Sequence, residues 1–125
     1  MNEEPAPAAA ATASNVPAAA PDATALLEPR KVLAAASDPV RWGILRELAA
    51  GPPLPVNELA ARLGRTPDLM SKHLRVLRDA RLLVAVEPAD GDGRKQFHAV
   101  PAPFRTRDAA GRVALDFGAV LLRFG

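Results

Sequence analysis

Residues 57–83 read NELAARLGRTPDLMSKHLRVLRDARLL. Asn57 is a candidate N-cap for a short helix with Leu59, Ala60 and Leu63 inside, and Gly64 supplies the left-handed exit that a sharp turn requires. Thr66 then caps a second helix over about residues 66–80. Pro67 suits its first position, where a missing N–H costs nothing, and Asp68 lies near the positive end of the helix dipole. Two helices joined by so tight a turn, the second with a cationic outer face, form a helix-turn-helix pattern.

At about 100° per residue, Leu69, Met70, Leu74, Val76, Leu77 and Ala80 of the second helix share one broad arc. Asp68, Ser71, Lys72, Arg75, Arg78 and Asp79 occupy the other. A recognition helix needs this division, because one face is held by the core while the other offers donors to the acceptors of the major groove. An ordinary solvated amphipathic helix shows the same charge pattern, so the turn chemistry and the next element decide between them.

That element is LLVAVEP, ADGDG and RKQFHAV, residues 82–100. Two apolar, β-branched segments flank a turn-forming cluster from Ala89 to Gly93, the signature of a β-hairpin. Arg94 and Lys95 put positive charge at its tip. In a winged helix this hairpin is the wing, placed to reach a phosphate backbone or the adjacent minor groove. Asp90 and Asp92 resemble the start of a calcium loop, but the later ligands, including the final Glu, are absent.

KVLAAASDPVRWGILRELAAG (residues 31–51) and RTPDLMSKHLRVLRDARLL (residues 65–83) resemble the opening and recognition segments of the ArsR-type winged-helix repressors of bacteria. The resemblance spans about residues 30–100, and Ser71 to Leu74 is its most specific piece. It implies a dimeric transcriptional regulator, with a repressor's role. Arg81 stands where the family usually has Gly before the hairpin, so a left-handed residue there would carry a cost of about 1 kcal/mol. Arg65 replaces a usual apolar residue and adds charge to the turn.

Sensing departs further from the family pattern. Many relatives hold thiophilic metals or arsenicals through paired cysteines, whereas this chain has none. Thiolate coordination and thiol redox sensing are therefore excluded. The two histidines, His73 on the recognition helix and His98 in the wing, are a poor basis for a compact metal site. No metal, cofactor or effector is assigned, and His73, near the edge of the apolar arc, suits a structural role as well as a DNA contact.

The 125 residues suit one domain, and no apolar run approaches the roughly 20 residues of a membrane span. Residues 1–24 are dominated by Ala and Pro and read as a disordered arm without the cationic start of a secretory signal, leaving residues 25–125 as the folded domain. Without the arm's Glu3, Glu4 and Asp22, 16 basic groups face 11 acidic ones, so the net charge rises from +2 to +5. From Arg62 to Arg81, six basic residues face Asp68 and Asp79. A field concentrated on one motif is the footprint of nucleic-acid binding.

Outside the motif, residues 26–36 predict an Ala-rich helix, and Asp38 with Pro39 starts another whose inward stripe is Val40, Ile44, Leu45 and Leu48. Trp42 falls at its rim. Gly51, Pro52, Pro53 and Pro55 break the chain before the helix-turn-helix. After the PAPF segment, Val113, Leu115 and Phe117 alternate as in a strand, whereas members of the family it resembles often finish with a helix, so residues 112–125 are open to either form. So apolar a terminus either completes the monomer core or pairs with its counterpart in a dimer.

The expected fold is mainly α with a small β-hairpin, a winged helix-turn-helix. The leading functional reading is a cytoplasmic, homodimeric, sequence-specific regulator of double-stranded DNA, with Arg65, Thr66, Pro67, Asp68, Ser71, Lys72, His73, Arg75 and Arg78 at the major groove and Arg94 and Lys95 on the wing. The competing class is a winged helix that binds a protein. Catalysis has little support, since Ser71, His73 and Asp68 share one helix with no oxyanion site beside them.

Overall fold

The computed structural model describes residues 27–87 and 96–124. Helix α1 (Pro29–Ala36) begins where the Glu28 carboxylate accepts from the Arg30 N–H, and α2 (Pro39–Ala50) begins where Asp38 Oδ2 accepts from the Val40 and Arg41 N–H groups. Both carry Pro in the first turn, as the Asp38-Pro39 pair predicts. The expected earlier start of α1 fails at Leu27 and Glu28, which precede the helix. A carboxylate cap followed by Pro29 sets the boundary there.

Strand β1 (Leu54–Pro55) leads directly into α3 (Val56–Leu63). Asn57 is therefore inside the helix, and Pro55 holds the N-cap position without a side-chain bond. Pairing of Leu54 with His98 and Pro55 with Phe97 carries the chain to this start, overriding the local cap signal. Gly64 adopts φ 66° and closes α3, its N–H bonded back to Ala60 and Ala61 carbonyls. Thr66 Oγ1 then accepts from the Leu69 N–H at 3.2 Å to cap α4 (Pro67–Asp79). Gly43 lets α2 approach α3 closely, since a Cβ there would sit 3.2 Å from Leu63 Cδ2.

Strands β2 (Val84–Val86) and β3 (Phe97–Ala99) pair antiparallel as the expected hairpin, with β3 in the centre between β1 and β2. Residues 88–95, with the Ala89–Gly93 cluster, Arg94 and Lys95, lie outside the described residues, as does the arm at residues 1–24. Arg81, at φ 69°, is the one non-glycine described residue with positive φ. Its N–H bonds to the Arg78 carbonyl at 2.9 Å and that of Leu82 to Leu77, so the turn into the wing forms despite the strained residue. Arg81→Gly should raise stability by about 0.5–1 kcal/mol, the left-handed penalty offset partly by glycine's greater unfolded freedom. A lowered midpoint in urea unfolding would contradict this reading.

Past a 3-10 turn (Ala102–Phe104), β4 (Arg105–Arg107), β5 (Val113–Asp116) and β6 (Leu121–Arg123) form a second antiparallel sheet in chain order. Of the two forms open to residues 112–125, the strand is the one present around Val113, ending before Phe117. This sheet completes the monomer core: Phe104, Leu115, Phe117, Leu122 and Phe124 join Ile44, Leu45, Leu48, Leu74 and Leu77 in one buried cluster. Phe104 and Phe117 meet edge-on with ring centres 5.0 Å apart, and Trp42 lies 4.7 Å from Phe124. The rim tryptophan therefore covers its own C-terminal segment. Arg105 donates to the Ala49 and Gly51 carbonyls, tying β4 to the end of α2.

Candidate nucleic-acid interface

Helix α4 is seated by Met70, Leu74 and Leu77, all nearly inaccessible, with Ala80 half-buried behind them. Leu69 and Val76, expected on the buried arc, are 39% and 41% exposed. The stripe that holds α4 follows spacings of four and three, so it is narrower than the arc drawn from the wheel, and the flanking positions 69 and 76 remain in solvent. At about 1.5 Å per residue the helix is roughly 20 Å long, and its outer face is open for most of that length.

Arg65 and Thr66 in the turn, Pro67 at the helix start, and Asp68, Ser71, Lys72 and Arg75 along the face are all exposed. Structure and sequence thus bring these seven residues together on one surface. Lys72 and Arg75 make no ion pair with a described residue, whereas Arg62 binds Glu58 at 3.1 Å and Glu47 at 3.2 Å. Arg62 therefore adds little to the field counted from sequence. Arg78 is half-buried and donates from Nη1 to Gln96 Oε1 at 3.2 Å, linking α4 to the wing.

His73 turns away from this surface. Arg41 Nη1 donates to its Nδ1 at 3.1 Å, while Arg41 Nε reaches the Ala35 carbonyl at the end of α1. An arginine can only donate, so the neutral His73 ring keeps its proton on Nε2. Asp38 Oδ2, 3.8 Å from His73 Nδ1, completes the group. Its carboxyl is held below the usual range mainly by the Arg41 backbone N–H, with the Val40 N–H and the Arg41 charge adding to the effect. The structural role considered for His73 is the one its contacts show. Arg41, unremarkable in sequence, holds together the end of α1, the start of α2 and the middle of α4.

His98, the other histidine, is 4% exposed, and its Nδ1 has no hydrogen-bond partner among the described residues. Burial, reinforced by the Arg78 charge, holds its imidazole below the ordinary value of 6.5. The unfolded chain takes up a proton near that value while the folded chain resists, so His98's effect on stability is complete above it and is lost as pH falls. Melting temperature should therefore drop more from about pH 7.5 to 5.5 in the native chain than in His98→Val. Equal drops would contradict a buried, neutral His98.

A family model described as a helix-turn-helix domain matches residues 36–86. No curated protein matches the chain in sequence. Among solved structures, an ArsR-like transcriptional regulator from Rhodococcus sp. RHA1 is similar at 31% identity and a TM-score of 0.51, over 59% of this chain and 63% of that one. The chain carries a helix-turn-helix domain and is similar to an ArsR-like regulator. Two further structures agree with the chain in fold. NolR from Sinorhizobium fredii is 22% identical with a TM-score of 0.52, over 70% of this chain and 83% of that one. A homodimeric winged helix-turn-helix DNA-binding domain from Mycobacterium bovis, a possible ArsR-family regulator, is 22% identical with a TM-score of 0.54, over 71% and 78%. The helix-turn-helix match and these neighbours support a DNA-binding transcription regulator. No described helix is long and apolar enough to cross a membrane.

Proposed function

We propose that the chain acts in the cytoplasm as a homodimeric, sequence-specific repressor whose two α4 helices enter successive major grooves about 34 Å apart. The observation that carries this reading is the exposed face of α4, where Lys72 and Arg75 stand over a helix seated firmly by Met70, Leu74 and Leu77. Ser71, Lys72 and Arg75 offer donors to base edges, while Arg65, Thr66 and the start of α4 suit phosphate. Leu69 joins them as a residue the sequence reading had placed inside. Its exposed side chain fits a thymine methyl group. Arg78 acts from its link to the wing, and Arg94 and Lys95, outside the described residues, add two positive charges to the wing sequence.

Dimerisation is supported by a shallow apolar groove between α1, α2 and β6, lined by Leu33, Pro39, Trp42 and Leu122. Leu33 is 53% exposed and Leu121, on β6, 54%. The C-terminal segment belongs to the monomer core, so a second copy would cover its outer side together with α1. The homodimeric Mycobacterium bovis neighbour lends weight to the same assembly. Sedimentation should give a dimer at micromolar concentration, and Leu33→Glu with Leu121→Glu should give a folded monomer with weaker DNA binding. DNA affinity that falls steeply with salt and prefers one sequence supports the regulator. Affinity without preference would favour the protein-interaction reading.

A further inference from the structure

The second sheet has two edges, and the sequence treats them differently. Strand β4 presents Arg105, Thr106 and Arg107, all exposed, with Arg105 tied back to the Ala49 and Gly51 carbonyls. Charge on an edge strand opposes pairing with another chain, so this edge is guarded. Strand β6 instead exposes Leu121 to 54%, and no described strand lies on its far side. Its hydrogen bonds fix which backbone groups face that open edge. Val120 accepts from the Phe117 N–H at 2.9 Å and Phe124 donates to the Val113 carbonyl at 3.0 Å, so residues 120 and 124 aim their backbone at β5. In an antiparallel ladder every second residue does so, which adds Leu122 opposite Leu115. The N–H and C=O groups of Leu121 and Arg123 therefore point outward. Their side chains are exposed, whereas that of Leu122 is buried on the inner face and borders the apolar groove with Leu33 and Trp42.

We propose that a second copy of the chain pairs with this edge, β6 against β6 antiparallel about a two-fold axis at Leu122, joining the two sheets into one. Leu121 and Arg123 stand equally far on either side of that axis, so Leu121 of one copy meets Arg123 of the other and they exchange both N–H···O bonds. The edge is thus complementary to itself. On the outer face the aliphatic stem of Arg123 covers the exposed Leu121. Arg123 Nη1 lies 3.8 Å from Asp108 Oδ2, and this counter-charge keeps the two arginines from opposing the approach. On the inner face the seam is continuous with the apolar groove through Leu122. The inference rests on the homodimer proposed above and assigns the strand that forms its seam.

The test follows amide hydrogen exchange of the full, DNA-free chain by nuclear magnetic resonance over a range of protein concentrations, with sedimentation on the same samples. The Leu121 and Arg123 amides should exchange freely in dilute protein and slow by about tenfold or more as the dimer forms, while the Leu122 amide stays protected throughout. A mixture of labelled and unlabelled chains should show Leu121 of one copy beside Arg123 of the other. Arg123→Pro removes an outward N–H and no bond within the chain, so it should leave the dilute protein folded and weaken association about tenfold or more. Leu121→Lys should do the same, and Thr106→Lys, on the guarded edge, should change nothing. A dimer whose Leu121 and Arg123 amides exchange as fast as in dilute protein would overturn the edge pairing and leave the homodimer standing. A chain that stays monomeric would overturn both. Protection of those amides at every concentration would give the edge to another segment of the same chain, and the proposal would fall. Failure to bind DNA would leave the pairing standing.

Discussion

Phe117→Ala should destabilise the domain by about 3–5 kcal/mol, enough to remove most of the stability of a small domain. Phe117 is 2% exposed and packs edge-on against Phe104, between the second sheet and the helices. Truncation removes a large apolar side chain, leaves a cavity, and strips Phe104 of its aromatic partner. Deleting residues 112–125 should go further and abolish cooperative unfolding, because β5, β6 and Phe124 leave together. Leu121→Ala, on the exposed side of β6, should change monomer stability by less than about 0.5 kcal/mol. A folded, cooperative deletion variant in thermal unfolding would show that the second sheet is an accessory to the winged helix rather than part of its core.

The recognition face should respond in the opposite way. Lys72→Ala and Arg75→Ala should each weaken DNA binding by about 1–3 kcal/mol where the side chain meets a base, so the double variant should lose roughly a hundredfold or more in affinity. Neither should shift the melting temperature appreciably, since both side chains lie outside the core. A phosphate contact would instead reduce the salt dependence by about one unit of slope per charge. Met70→Ala, one position on the buried stripe, should cost about 2–5 kcal/mol of folding stability. DNA affinity unchanged in the double variant would sink the assignment of this face.

What could be read from sequence was local. The caps at Asp38 and Thr66, the left-handed exit at Gly64 and the strained turn at Arg81 each depend on a few adjacent residues, and all four appear in the structure. The wing was legible because two β-branched segments flank a turn cluster. Strand β1 was hidden among prolines because its partner, β3, lies more than forty residues away, and that pairing also moved the start of α3 ahead of Asn57. Arg41 and His73 are likewise 32 positions apart, with nothing in either local pattern to announce their contact. The helical wheel located the buried stripe of α4 but could not set its width. That depends on how many elements pack against the helix, and here it leaves Leu69 and Val76 outside.

The most direct test of sequence-specific recognition by a symmetric pair is selection of bound duplexes from a random pool by the full chain. The expected result is an inverted repeat with half-site centres about 10 base pairs, or a whole number of turns, apart, lost when Lys72 and Arg75 are both replaced by alanine. A pool that stays random after repeated rounds, although the protein is folded and binds DNA at low salt, would contradict the account.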